Sequence, residues 1–421
     1  MMKKNVMSFI VAFGLLLTLG ACSSSGDQAS SESTTLTLSI WETYEKEGME
    51  QIAEAFEADH PEIKVNVEVT PWSQYWTKLE AASTGGTAAD IVTMLSSEFY
   101  NYAANGQLMN LGELVKNGDI DVSAYRPEIA DLYTFEDELY TVPKDVDSLG
   151  LWYNKTLFDA QGLAYPDESW TWETLLETAK KLTDQEKGTY GFAAPNTGQD
   201  GYNSFVFQNG GNFLNDERNA STINQKNTVE ALQWFVDLST KEGVSPTDDQ
   251  LSENDAVTSF QSGKVAMVVQ GSWMTSQFRD NEYTLKNCDV AVLPKGKERA
   301  TQMNGKGYAI SAQTKHPEAA KKFITFLGSE EGMKIQAETG TAIPAFEGLG
   351  DAWVEASSDF NAQVFVDQLE FGVMKPYSKA TKSVETAIGE GLREAFSGKK
   401  SVAELTPKID KEINELLKAA E

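Results

Sequence analysis

Hydrophobic and polar residues alternate with a period of two from Leu36 to Ile40. Leu36, Leu38 and Ile40 flank Thr37 and Ser39, which predicts a half-buried strand ending at Trp41-Glu42. Met49, Ile52, Ala53 and Phe56 then recur at helical spacing, and His60-Pro61 stops that helix. Ile63, Val65, Val67 and Val69 alternate again as far as Pro71. A helix over 73–82 carries Trp76 and Leu79 to the Gly85-Gly86 turn, and residues 90–95 read as a buried strand. Strand, helix, strand, helix, strand at this spacing predicts an α/β fold with a doubly wound sheet. Ligands of such sheets gather outside the carboxyl ends of the strands. Residues 41–46, then Ser96, Ser97, Glu98 and Tyr100, are therefore the first positions to consider for a site.

The pattern restarts after VPKDVDSLGLWYNKTLF, which begins at Val142. This extended run carries Asp145 and Asp147 and leads into Trp152-Tyr153-Asn154, which suits a crossover facing a cleft shared by two lobes. Trp172, Leu175, Leu176, Ala179 and Leu182 form one helical face behind Thr171, the expected N-cap. Residues 190–193 predict a short strand, 196–203 a Gly- and Asn-rich loop, and 252–263 a helix. Residues 265–269 predict a strand running into Gly271-Ser272-Trp273. Residues 304–311 are extended, Pro317 opens a helix buried through Ala320, Phe323, Ile324 and Leu327, and 340–344 read as a further crossing. Two helices close the chain. The expectation is two doubly wound lobes joined by hinge crossings: 35–147 with 304–345, and 148–303 with 346–421. Ahead of them come a signal peptide at 1–21 and a tether at 22–34.

A length of 421 residues also points to two domains. The formal charge of −28 repels phosphate backbones and anionic headgroups, so nucleic acid is not an expected partner. Two cysteines, Cys22 and Cys288, and two histidines, His60 and His316, build no disulfide framework or His/Cys metal site, and no His-dependent nucleophile. No metal or cofactor is expected. Cys288 reads as a small core residue. Lys3 and Lys4 precede an apolar run over 6–19, which is short for a membrane span. Leu19-Gly20-Ala21-Cys22 follows, in the pattern of a lipobox whose Cys22 thiol receives a lipid and becomes the new N-terminus. The Ser-rich stretch after it lacks large apolar residues and reads as a flexible tether. The folded part is thus expected outside the cytoplasm, held to the membrane by lipid.

Aromatic residues at strand ends, paired with carboxylates, suit a sugar. Its apolar ring faces stack on aromatic rings while its hydroxyls seek acceptors. Trp41 with Glu42, Asp147 near Trp152, and Trp273 each supply such a pairing or half of one, although packing in the core accounts for a tryptophan equally well. The pairs Asp145 with Asp147 and Glu42 with Glu45 leave open the acid and base of a glycosidase. Chance alone brings acids together in a chain with 63 of them. Gly305-Lys306-Gly307 matches no nucleotide-binding loop.

Several segments, in this order, resemble the extracellular solute-binding proteins of ATP-driven importers, the family that includes the maltose-binding protein. They are IWETYEKEG, ADIVTM with ANGQLMNL, VPKDVDSLGLWYNKTLF, TWETLLETAKKLT, FQNGGNFL, SFQSGKVAMVVQGSW and NGKGYAISAQTKHPEAAKKFITFL. The resemblance covers nearly the whole mature chain. It implies two α/β lobes of the type II binding-protein kind that close over a ligand without a chemical step. The maltose binder's acid and lysine after the first strand match Glu45 and Lys46, its crossing acid matches Asp147, and its second-lobe tryptophan matches Trp273. Its tryptophan after the third strand falls on Met94 or Leu95, its next acid on Ser97, and its C-terminal stacking tryptophan has no counterpart. The family therefore implies a sugar, an oligosaccharide, without singling out maltodextrin.

The expected ligand residues are Trp41, Glu45, Lys46, Ser97, Glu98, Asp147, Trp152, Tyr202, Trp273 and Tyr308. Tyr202 and Tyr308 enter by loop position. The expected partners are the sugar, the membrane permease of an importer, and the membrane through Cys22, with the chain a monomer. The alternatives are a surface glycan-degrading enzyme and a receptor for a polyamine or peptide.

Overall fold

In a computed structural model of the protein, residues 33–420 are described. The leader, Cys22 and all of the tether but Ser33 and Thr34 lie outside them. Thr34 already belongs to the first strand, Thr34–Ile40, because its N–H donates to the Glu62 carbonyl at 2.9 Å. Among the described residues no helix is long and apolar enough to cross a membrane.

One sheet has five strands in the order Ile63–Val69, Thr34–Ile40, Ile91–Leu95, Lys306–Ile310 and Val142–Pro143. The first three run parallel, as alternating strands and helices dictate, and Lys306–Ile310 enters antiparallel to both of its neighbours. Leu36, Leu38 and Ile40 are completely buried, each contributing about 1.5–3 kcal/mol by removal from water. The expected helices Lys46–Asp59 and Trp72–Gly85 cover the sheet, the latter ending on Gly86 in the left-handed conformation.

The second sheet has Leu149–Asn154 at its centre, flanked by Met267–Gly271 and Cys288–Ala291, and both pairings are antiparallel. All six central residues are buried, which explains their nearly continuous hydrophobic run. Leu149, Leu151 and Tyr153 face one apolar cluster. Trp152 faces the other, which is continuous with the core of the five-stranded sheet.

The structure departs from the sequence reading at three places in this half. Residues 190–193 hydrogen-bond to 264–267 but form only a bridge at Tyr190–Val265. Helix Trp172–Leu182 lies directly on Gly191, where a Cβ would run into the Ala179 backbone. The helix expected over 252–263 is two, Asp248–Glu253 and Ala256–Gln261. Asp255 caps the second by accepting from Thr258 N at 2.8 Å. The loop expected over 196–203 contains a wide helical turn, Gly198–Tyr202, leading into helix Asn203–Gln208. Thr171 does cap its helix, accepting from Thr174 N at 3.3 Å, and Pro317 stands at the start of Pro317–Leu327.

Candidate functional site

Three extended segments pass side by side between the sheets. Val146 N donates to Ile343 O at 3.0 Å, Ala345 N to Lys144 O at 3.2 Å, and Asp147 and Asn304 exchange backbone bonds at 2.8 and 3.2 Å. The crossings thereby satisfy one another's polar backbone, as buried non-helical chain must.

Beneath them lies a closed ionic network. Glu45 Oε1 accepts from Lys306 Nζ at 2.5 Å and Lys144 Nζ at 3.2 Å. Asp145 Oδ2 lies 3.1 Å from Lys144 Nζ and 3.5 Å from Lys306 Nζ, and its Oδ1 accepts from Lys306 N at 2.5 Å. All four side chains are buried. Burial alone raises the Asp145 pKa, but Lys144 and Lys306 overcome it and hold the carboxyl below its ordinary value. Burial likewise pulls the Lys306 ammonium down, yet Glu45 and Asp145 hold it well above the ordinary lysine range. Asp147 has no such partner. Burial, then repulsion from Asp145, pushes its carboxyl up to about 7, against Lys306 and a hydrogen bond from Ser272 Oγ at 2.9 Å.

A cavity of about 240 Å³ opens above the crossings. Trp72, Leu95 and Ser97 form its wall on the side of the five-stranded sheet, and Gln302 and Asn304 contribute from a crossing. The opposite wall comes from Gly198, Gln199, Tyr202 and Asn203, and from Lys375–Tyr377 and helix Thr381–Phe396. Asn304 stitches the two sides together, accepting from Ser96 Oγ at 2.6 Å and donating to Gln199 Oε1 at 3.4 Å. Further out, Lys382 meets Glu98 at 3.3 Å, and Arg218 donates to the Tyr100 hydroxyl at 3.1 Å. Charges on the cavity wall are thus paired within the protein: Lys382 with Glu98, and Lys375 with Glu385. Amides, hydroxyls and rings line the remainder.

Of the expected residues, Ser97 and Tyr202 line this cavity. Trp41 stands behind Trp72, with ring centroids 5.4 Å apart, and Lys306 lies 5.5 Å from its ring. Asp147 sits under Asn304 through their shared backbone ladder. Trp273 is half-buried, rests on Gly271, where any Cβ would strike its ring, and packs against both apolar clusters without lining the cavity. Five others are placed outside the cavity lining. Glu45 turns into the ionic network because two buried lysines claim its carboxylate. Lys46 points to solvent and pairs with Glu50 one helical turn on, at 3.3 Å. Glu98 bridges to Lys382. Trp152 is a core residue, its ring centroid 4.7 Å from Phe278 and 5.0 Å from Phe360. Tyr308 faces the core, with its hydroxyl 3.1 Å from the Met49 sulfur.

Sequence reasoning missed Trp72, Gln199, Gln302 and Tyr377. Gln302 sits beside the expected crossing, and Pro376-Tyr377-Ser378 precedes a strongly periodic helix, so position gave a signal for both. Tyr44, beside the network, has a buried hydroxyl without a hydrogen-bond partner among the described residues. Burial, and then the neighbouring acids against Lys306, push its pKa well up.

Two α/β halves joined by three crossings, with a lined cavity between them, define a two-lobe binding protein of type II architecture. The family model for "Bacterial extracellular solute-binding protein" matches residues 42–334, and the chain belongs to that family. Its members are binding proteins rather than enzymes. Among relatives, the maltodextrin-binding protein MdxE of Bacillus subtilis is 27% identical over 412 residues, covering 94% of each chain. A maltooligosaccharide ABC transporter solute-binding lipoprotein of Streptococcus pneumoniae R6 is 25% identical over 420 residues, 95% of this chain and 93% of that one. Among solved structures, the ABC substrate-binding protein Lmo0181 of Listeria monocytogenes, in complex with cycloalternan, superposes with a TM-score of 0.85. It is 26% identical, covering 92% of this chain and 99% of that one.

Proposed function

We propose that the protein captures a neutral oligosaccharide between its lobes and releases it unchanged to the permease of an ATP-driven importer, held to the outer face of the membrane through lipidated Cys22. The observation that carries this reading is the chemistry of the cavity wall. Its charges neutralise each other, whereas Gln199 Nε2 and the Ser97 hydroxyl have no protein partner among the described residues. An uncharged polyhydroxyl ligand suits such a wall, since unpaired amides and hydroxyls gain hydrogen bonds without stranding a charge. Ser97, Gln199, Tyr202, Gln302, Asn304 and Tyr377 hold the ligand, and Asp147 acts from below by fixing Asn304. The relatives' names, with maltodextrin, maltooligosaccharide and cycloalternan among them, support a sugar. The pneumococcal lipoprotein supports the anchor. Ligand binding shifts an equilibrium between open and closed arrangements by adding contacts from both lobes to the closed one.

A thermal-shift screen with neutral glycans, uronic-acid oligosaccharides, polyamines and peptides tests the reading. A neutral oligosaccharide is expected to raise the melting temperature, because a ligand that binds only the folded state stabilises it by mass action. A shift confined to polyamines or peptides rejects the sugar, and new reducing ends in the incubated glycan reject pure binding.

A further inference from the structure

Trp72 lines the cavity and yet is 48% exposed, which places it at the rim. It opens helix Trp72–Gly85 directly after Pro71, whose ring restricts the backbone there. Two tryptophans brace it edge-on: Trp41 at 5.4 Å and 65°, and Trp76 at 5.9 Å and 89°. Trp41 is fixed in turn by donating from Nε1 to Glu42 Oε1 at 3.1 Å. The outer ring is therefore held in place before any ligand arrives, with about half of the residue left to solvent. An exposed tryptophan normally sheds that apolar area into the core or an interface. The cavity behind it, about 240 Å³, falls below the roughly 300–1,000 Å³ of pockets that enclose most of a drug-sized ligand. A ligand longer than the cavity must leave by the rim.

Resting on the sugar reading above, we infer that Trp72 is an outer stacking subsite that selects for chain length. It carries the ring of the sugar unit emerging from the cleft and contributes less to the units inside. A short sugar ends before reaching it, whereas a longer one gains the apolar contact of one pyranose face on the indole.

Calorimetric titration of wild type, Trp72→Ala and Trp72→Phe with a length series of the best-binding neutral glycan tests this, with unliganded melting temperatures as the folding control. Trp72→Ala is expected to weaken the longer members about tenfold and the shortest bound member far less, with Trp72→Phe recovering most of the loss. Equal weakening at every length, or none at any length, overturns the length selection and leaves the sugar reading intact. A wild type that binds no glycan overturns both.

Discussion

Beneath the crossings, Glu45, Lys144, Asp145 and Lys306 consume one another's charge; along the cavity wall above them, the Gln199 amide nitrogen and the Ser97 hydroxyl keep bonds to offer. Both regions are polar and both lie at the junction of the lobes, but one is closed to any ligand and the other is open to it. The difference lies in partner supply. Ion pairs complete in the folded chain set the geometry of the hinge, whereas half-satisfied neutral groups leave room for a guest. A polar residue at a strand end is thus a ligand candidate only when the protein has not already spent it.

The strongest way to break this contrast is Asp145→Ala. Removing one partner leaves Lys144 and Lys306 buried with Glu45 alone, and urea unfolding is expected to show a loss of about 3–5 kcal/mol. A loss below about 1 kcal/mol would mean that the network does not hold the crossings.

Asp147→Asn should act in the opposite direction. Asp147 titrates at about 7 in the folded protein, above its unfolded value, so the fold binds this proton more tightly than the unfolded chain does. Its contribution is most favourable below the unfolded pKa, near 4, and is lost as pH rises through 7. The asparagine keeps the acceptor for Ser272 and carries no charge. It is expected to match wild type at pH 4 and to exceed it by roughly 2–4 kcal/mol at pH 8. Unfolding at a series of pH values decides the point, and parallel curves for the two proteins would show that the Asp147 proton does not affect stability.

On the open side, Gln199→Ala should leave the melting temperature of the free protein within a degree or so and weaken sugar binding about three- to tenfold by calorimetry. A large drop in stability would move Gln199 to the structural side of the comparison. The smallest effect belongs to Lys382→Ala. Its bridge to Glu98 spans the cleft, but Lys382 is 61% exposed, so about 0.2–1 kcal/mol of closure is at stake. Affinity is expected to fall less than about fivefold, and the difference from wild type to vanish in 1 M salt.

The alternating strands and the helices at 3.6 spacing were legible because each buries one face, and burial writes itself into the sequence as a period. The crossings at 142–147 and 304–311 were legible through their extended pattern. Side-chain direction was not. Glu45 follows a strand, as a ligand residue would, but nothing local reveals that Lys144 and Lys306, far along the chain, converge on it. Trp152 could have been read as core from its own neighbours, since the unbroken run LGLWYN marks a strand covered on both faces. Tyr377 and helix Thr381–Phe396 reach the cavity only because the chain returns to it from far away, a contact that no local pattern encodes.

The guest is expected between the lobes, above the closed ionic network. A crystal structure of the protein with the neutral oligosaccharide that most raises its melting temperature tests it directly. The sugar is expected between Ser97 on one side and Gln199 and Tyr377 on the other, bonded to Gln302 or Asn304, with Glu45 and Asp145 still held by their lysines. A sugar bound elsewhere on the surface, or one that displaces Lys306 from Glu45, would contradict it.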